Sequence, residues 1–319
     1  MRNGTRVALR AHAVIMPTVH FFRFVIVLVL FILFSANAAP RAEHGVARAA
    51  AWLERVNFYR ATAYLPPVVE EAALSTPVAQ HARYMVANGV IAHSQNHRRS
   101  WSSADGAAAA AVSNLAGTSS ATVPDSWAVD VWMQAPFHAV GILDPALHRV
   151  GFGIYREQGR MIQTAAGLDV IRGRRNKPLG ISYPIVWPAH NVSVPIGTHV
   201  SEYPSPLASC GGYKSPAGLP IIVQIGAGAE IPRVTRTSIS DGPRALEHCV
   251  FDESTYRGRN RSEQDLGRSI LAARDAIVLI PREPLQSGSS YRVHIETNGR
   301  PVDWTFRIGG TLEQRRDGS

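Results

Sequence analysis

The chain reads as an α+β protein in two parts, a helical first half followed by a second half built of strands. Residues from Glu43 to Gly167 are rich in alanine and space their apolar side chains as helices do, whereas residues after Tyr183 are rich in Pro, Gly, Val, Ile and Ser. Near the C-terminus two runs alternate apolar and polar side chains on either side of an Asn-Gly pair, the pattern of a hairpin. We therefore expect a signal peptide at 1–38, an α+β domain at 43–171, a linker at 172–188, a β-sandwich-like domain at 189–310 and a disordered tail at 311–319.

Three helices follow from the first half. Ala49, Leu53 and Val56 form an apolar stripe within 46–60. A second helix should start at Thr76, with Pro77 at its first helical position, and stop at Asn88-Gly89; its apolar side is Val78, Ala82, Met85 and Val86. A third begins near Asp125 as cap, buries Val129, Trp132 and Met133, and ends at Pro136. Strands are expected at 149–155 and 161–166. Gly151 and Gly153 lack the third glycine of a dinucleotide fingerprint and fit a strand packed close to a helix.

The second half reads as all β. Residues 290–296 put Tyr291, Val293 and Ile295 on one side, and residues 302–308 do the same with Val302, Trp304, Phe306 and Ile308. A two-residue type I′ turn at Asn298-Gly299 pairs Ile295 with Val302, Val293 with Trp304 and Tyr291 with Phe306, so both apolar sets share a face. Further strands are expected at 219–225, 233–240 and 276–280, giving a small sandwich of immunoglobulin-like size.

The N-terminus reads as an export signal. Arg2, Arg6, Arg10 and Arg23 precede an eleven-residue apolar run at 24–34, and Ala36-Asn37-Ala38 offers small residues around a cleavage site. The run falls short of the ~20 residues of a membrane-spanning helix. Secretion or periplasmic export is the expectation, with anchoring by an uncleaved segment as the alternative. Removing the leader's four arginines lowers the net charge from +9 to +5. Basic clusters at Arg172, Arg174, Arg175 and Lys177, and at Arg257, Arg259 and Arg261, read as solvated loop faces, the alternative being contact with anionic wall polymer or lipid headgroups. No interleaved aromatic pattern points to nucleic acid. Cys210 and Cys249 are expected to pair in an oxidising compartment, since no Cys-x-x-Cys suggests redox or metal chemistry.

An ordered set of short motifs carries a resemblance. It runs through Asn57-Phe58-Tyr59-Arg60, Leu65-Pro66, Ala79-Gln80-His81-Ala82-Arg83-Tyr84-Met85, His93-Ser94 and Ser113-Asn114-Leu115. It continues through Val129-Asp130-Val131-Trp132-Met133, Pro136-Phe137-His138, Gly141-Ile142-Leu143-Asp144-Pro145 and Val150-Gly151-Phe152-Gly153. Over residues 47–168 the chain resembles the CAP superfamily of cysteine-rich secretory proteins, antigen 5 and pathogenesis-related 1, in its bacterial SCP-like form. That resemblance implies an α-β-α sandwich with a small antiparallel sheet between helical layers. The C-terminal half more loosely resembles the Ig-like β modules of bacterial surface proteins, through Leu279-Ile280-Pro281, Pro284-Leu285, Tyr291 and Trp304-Thr305-Phe306.

The resemblance also implies a central cleft where His93 and His138 converge, often beside two glutamates and a divalent metal. Here Ser113 stands where the first glutamate would be, and Ala135 occupies the place of the second. Two imidazoles fall short of the three or four protein ligands zinc normally takes. Zinc at His93 and His138, helped by water and an acid such as Asp105, is the one cofactor left open. Each candidate has a plainer reading: His138 as a helix C-terminal cap, His93 as a loop histidine bonded to backbone, and Asn114 as a tie to backbone. Ser113 lacks a nucleophile elbow, so no catalytic residue is assigned. His97, His148, His190, His199, His248 and His294 show no ligand spacing.

The function expected from the cleft residues His93, His138, Ser113 and Asn114 is non-catalytic binding of a small lipid-like or cell-surface ligand. The alternatives are a secreted hydrolase, metal-assisted or acting on wall polymer, and a degenerate scaffold for surface assembly.

Overall fold

The structure is a computed structural model and describes residues 50–309. The expected leader at 1–38, the tail at 311–319 and the Ala49 end of the first apolar stripe lie outside the described residues. No helix among them is long and apolar enough to cross a membrane.

The first half runs α1 (Ala51–Ala61), β1 (Val69–Glu70), α2 (Ala72–Asn88), α3 (Ala104–Ala110), β2 (Ser113–Thr118), α4 (Trp127–Met133), α5 (Pro136–Ile142), β3 (Arg149–Arg156) and β4 (Thr164–Asp169). Its sheet has the order β1-β3-β4-β2, with β1 parallel to β3 and the other pairs antiparallel. α2 covers one face through the expected Val78, Ala82, Met85 and Val86, all buried. Gly151 and Gly153 are what let it lie so close: a Cβ at either would collide with the α2 backbone at Leu74 and at Val78-Ala79. Over β3, Trp52 of α1 stacks on Phe152 with ring centroids 4.6 Å apart.

Several boundaries differ from the sequence reading. α2 begins one turn before Thr76, because Glu71 N–H donates to Val150 O and Ser75 bridges Glu70 and the Phe152 N–H, so strand contacts nucleate the turn ahead of Pro77. Asp125 is no cap; it pairs with Arg156 at 2.7 Å, and α4 follows Ser126. Pro136 does not only end α4: it opens α5, where its missing N–H costs nothing. α3, capped by Ser103 accepting from Gly106 N–H, is a further short helix. The strand expected from Met161 starts at Thr164.

The second half contains β5 (Ile185–Trp187), β6 (Ser193–Val194), a 3₁₀ turn (Pro206–Ser209), β7 (Ile221–Gln224), β8 (Val234–Asp241), β9 (Arg244–Ala245), β10 (His248–Phe251), α6 (Arg261–Ala272), β11 (Ala276–Pro281), β12 (Ser290–Thr297) and β13 (Arg300–Ile308). One sheet has the order β10-β11-β7-β5 and the other β6-β13-β12-β8-β9. The β12–β13 hairpin has the register read from sequence, Ile295 with Val302, Val293 with Trp304 and Tyr291 with Phe306, and Asn298 and Gly299 both have positive φ. This half is β-rich with one helix, α6, that the all-β reading lacked. Asn260 caps it by accepting from Glu263 N–H.

The halves share one core. Trp187 Nε1 donates to Thr62 Oγ1 at 3.0 Å, Gln224 Nε2 to Leu143 O at 3.1 Å, and Phe137 packs edge-on to Tyr256 at 5.1 Å. The segment 172–188, expected as a linker, includes β5. Cys210 and Cys249 form a disulfide that ties the 3₁₀ turn to β10, with Cα atoms 5.5 Å apart across 39 residues of sequence.

Closing a loop of that length constrains the unfolded chain. Cys210→Ser/Cys249→Ser should lose about 3–4 kcal/mol of stability, read as a lower urea midpoint with a larger m-value, because the freed unfolded chain exposes more surface.

Candidate functional site

The cleft is built from short elements that cannot stand alone. α5 has seven residues, below the length at which an isolated helix is stable, so its position comes from tertiary bonds at both ends. At its start, the Glu202 carboxylate accepts the Phe137 N–H through Oε1 at 3.0 Å and the His138 Nδ1–H through Oε2 at 2.6 Å. At its end, Arg60, fully buried, donates from Nη1 to Ile142 O at 2.7 Å and Asp144 O at 2.9 Å, and from Nη2 to Leu147 O at 3.1 Å. Asn114 Nδ2 donates to His138 O at 3.0 Å, tying β2 to the same turn.

His138 therefore lies in the first turn of α5, and the expected C-terminal cap is replaced by a histidine with a carboxylate behind it. His93 comes from the loop after α2, exposed at the cleft, with Nδ1–H donating to Ala110 O at 2.9 Å. Its loop is supported by His81, whose Nε2–H donates to Ala92 O at 2.9 Å while Nδ1 accepts from Gln95 Nε2 at 2.9 Å. Both cleft imidazoles are thus held by Nδ1, which leaves each Nε2 without a hydrogen-bond partner among the described residues.

Two hollows meet at this pair. The smaller, of about 280 Å³, is lined by His93, His138, Ser113 and Asn114 with apolar walls such as Val112, Val170 and Ile270. The larger, of about 570 Å³, is lined by His93 and His138 with Leu115, Trp132, Ala135 and Glu202. Tyr203 and Leu266 border both, so the second half supplies part of the wall. Ser113 Oγ is buried and bonds to neither imidazole. Asp105 is exposed on α3 and lines neither hollow; the acid beside the imidazoles is Glu202.

Residues 53–163 match the family model of the cysteine-rich secretory protein family, CAP. This segment is a CAP domain. No curated protein and no solved structure gives a match to the chain.

Glu202 lines the larger hollow together with Ala135, and it arrives from outside the matched segment. Its side chain is only 2 % exposed. Burial pushes its carboxyl above the usual range, while the bonds to His138 and to backbone amides pull the other way. The surrounding protein holds His93 below the ordinary imidazole range by desolvation; its bond to Ala110 opposes this and His138 adds to it. For a divalent metal the cleft offers the Nε2 atoms of His93 and His138, while both Glu202 oxygens already accept hydrogen bonds. Among the described residues no group of three or more His, Cys, Asp or Glu is arranged to hold a metal.

Glu202, Tyr203, Leu266 and Arg274 are not marked as site residues by local pattern in the sequence: the first two sit in an irregular segment, Leu266 lies within α6, and Arg274 follows that helix. The capping pattern at Asn260 to Glu263, ahead of Leu266, Ile270 and Leu271, was the available signal. Of the remaining histidines, His148, His190 and His248 bond to neighbouring backbone groups, and His294 pairs with Asp303 at 3.1 Å.

The support under His93 is sensitive to pH. Burial lowers His81 from the ordinary 6.5 to about 4, and His199 likewise to about 4. The unfolded chain takes up those protons first, so stability present above pH 6.5 is lost as pH falls towards 4. Urea midpoints at pH 7 and pH 5 should differ less in His81→Gln than in the parent chain; equal losses would remove His81 as a source.

Proposed function

We propose that the chain is an exported protein that binds a small lipid-like or cell-surface ligand, without catalysis, in the His93/His138 cleft. One observation carries this reading: two largely apolar hollows share two imidazoles whose Nε2 atoms have no partner among the described residues. The larger hollow falls within the roughly 300–1,000 Å³ of small-molecule sites, where apolar walls supply affinity and a few polar atoms fix orientation. Export is supported by the N-terminal leader pattern and the Cys210–Cys249 disulfide. The β-rich half, which sends Glu202, Tyr203 and Leu266 to the cleft, serves as part of the binding site and not only as a spacer.

A second reading is favoured by the His138–Glu202 pair. A carboxylate behind Nδ1 fixes the tautomer and stabilises an imidazolium, which is what a general base acting on water through Nε2 requires. Against it, no hydroxyl or thiol of the described residues bonds to either Nε2, so a covalent hydrolase has no paired nucleophile.

A dansyl-labelled alkyl chain should bind the parent protein once per chain. His93→Ala/His138→Ala and Leu266→Asp should each weaken it at least about tenfold, roughly 1.4 kcal/mol. Turnover of a chromogenic ester or peptide that is lost in Glu202→Gln would instead establish the hydrolase. Stoichiometric zinc lost in the double variant would establish a metal site. Unchanged probe binding in both variants would reduce the cleft to a scaffold.

A further inference from the structure

Polar groups buried without partners are costly, and where they gather marks what a site awaits. Two residues that line the smaller hollow carry such groups, Ser113 at Oγ and Arg274 at its guanidinium, whose Nη2 is buried and bonds to nothing among the described residues. The residue Arg274 is only 5 % exposed. In the larger hollow the buried Trp132 Nε1–H is likewise unpartnered. Each of the three can donate.

The charge around Arg274 points the same way. Its Nε lies 3.1 Å from Asp144 Oδ2, but that oxygen also takes Arg174 Nε at 2.8 Å, so two guanidiniums share one carboxylate. The neighbouring Asp275 is occupied by the N–H groups of Gly228, Ala229 and Glu230. No carboxylate lines the smaller hollow, where Arg274 is the one permanently charged side chain. The other walls near it, among them Val170, Ile171, Leu266 and Ile270, are apolar.

We propose that the cleft takes an amphiphile with an anionic head, a carboxylate or a phosphate monoester, and that Arg274 receives the head through its unpaired guanidinium edge. This rests on the binding reading above and names the ligand class for it. A guanidinium suits such a group because its planar fork meets two oxygens at once, and a desolvated site makes that bond stronger than it is in water. Ser113 Oγ–H and the Asn114 amide stand in the same wall, and the apolar tail runs past Leu266 into the larger hollow. The head is thus selected by a residue of the β-rich half, outside the CAP segment.

The experiment compares dodecanoate, dodecyl phosphate, dodecanol and inorganic phosphate by titration calorimetry on the parent chain and on Arg274→Gln. The expected result is that one of the two anionic amphiphiles binds the parent at least tenfold more tightly than dodecanol, and that Arg274→Gln abolishes this preference while dodecanol binding stays the same. Whichever head wins distinguishes a fatty carboxylate from a lipid phosphate. Equal binding of charged and uncharged chains to the parent overturns the proposal while leaving the binding reading intact. Binding of inorganic phosphate as tight as that of dodecyl phosphate overturns the amphiphile and assigns a free-anion site. Failure of every dodecyl compound to bind overturns both readings. If Arg274→Gln does not fold, the parent comparison still decides, with Arg274→Lys expected to retain a weakened preference and an unchanged preference counting against Arg274.

Discussion

A seven-residue helix held at both ends is the constraint on which this cleft depends. α5 is too short to persist by its own hydrogen bonds, and its orphan groups are met by residues distant in sequence. Glu202 takes the first-turn N–H of Phe137, where a carboxylate also complements the helix dipole. Arg60 takes the carbonyls of Ile142, Asp144 and Leu147, and Gln224 takes that of Leu143. His138 sits between these clamps, so its ring orientation is fixed by the fold and not by a ligand.

The same clamps explain how charge is tolerated in the interior. Arg60 spends its guanidinium on carbonyls, which leaves the Asp144 carboxylate for Arg174 and Arg274. Glu202 is buried, but both of its oxygens are bonded, so the desolvation cost is partly offset by hydrogen bonds. Removing His138 would strand that carboxylate; removing Glu202 would free the imidazole to turn. The pair is coupled, and neither residue's effect reads out the other's contribution alone.

Local periodicity and turn chemistry encode part of this fold. The β12–β13 register followed from two agreeing signals, alternation and Asn298-Gly299, because a slip by one residue would turn Val293 and Trp304 outward. The buried side of α2 and its stop at Gly89 followed from spacing and from a residue that accepts positive φ. What remained hidden was set by tertiary contact. α2 extends ahead of Pro77 because β1 and β3 organise that turn, and α5 exists because Glu202 and Arg60 complete its ends. His93, His138, Ser113 and Asn114 could be named together only through a resemblance, which carried no information on the acid from the other half.

That acid changes how the CAP motif should be weighed. Ser113 and Ala135 by themselves argue for a cleft that has lost its carboxylates. Yet Glu202 lines the larger hollow with Ala135 and places one carboxylate behind Nδ1 of His138. A carboxylate across the cleft would compete for a bound cation, whereas one behind the ring makes Nε2 a better acceptor and leaves the space in front open to a ligand. The CAP segment supplies two oriented imidazoles and apolar walls; Glu202, Tyr203, Leu266 and Arg274, all from the β-rich half, set the charge and the rim. The charge at the cleft is therefore a property of the junction between its halves: Glu202 and Arg274 lie outside the matched segment, and His93 and His138 lie within it.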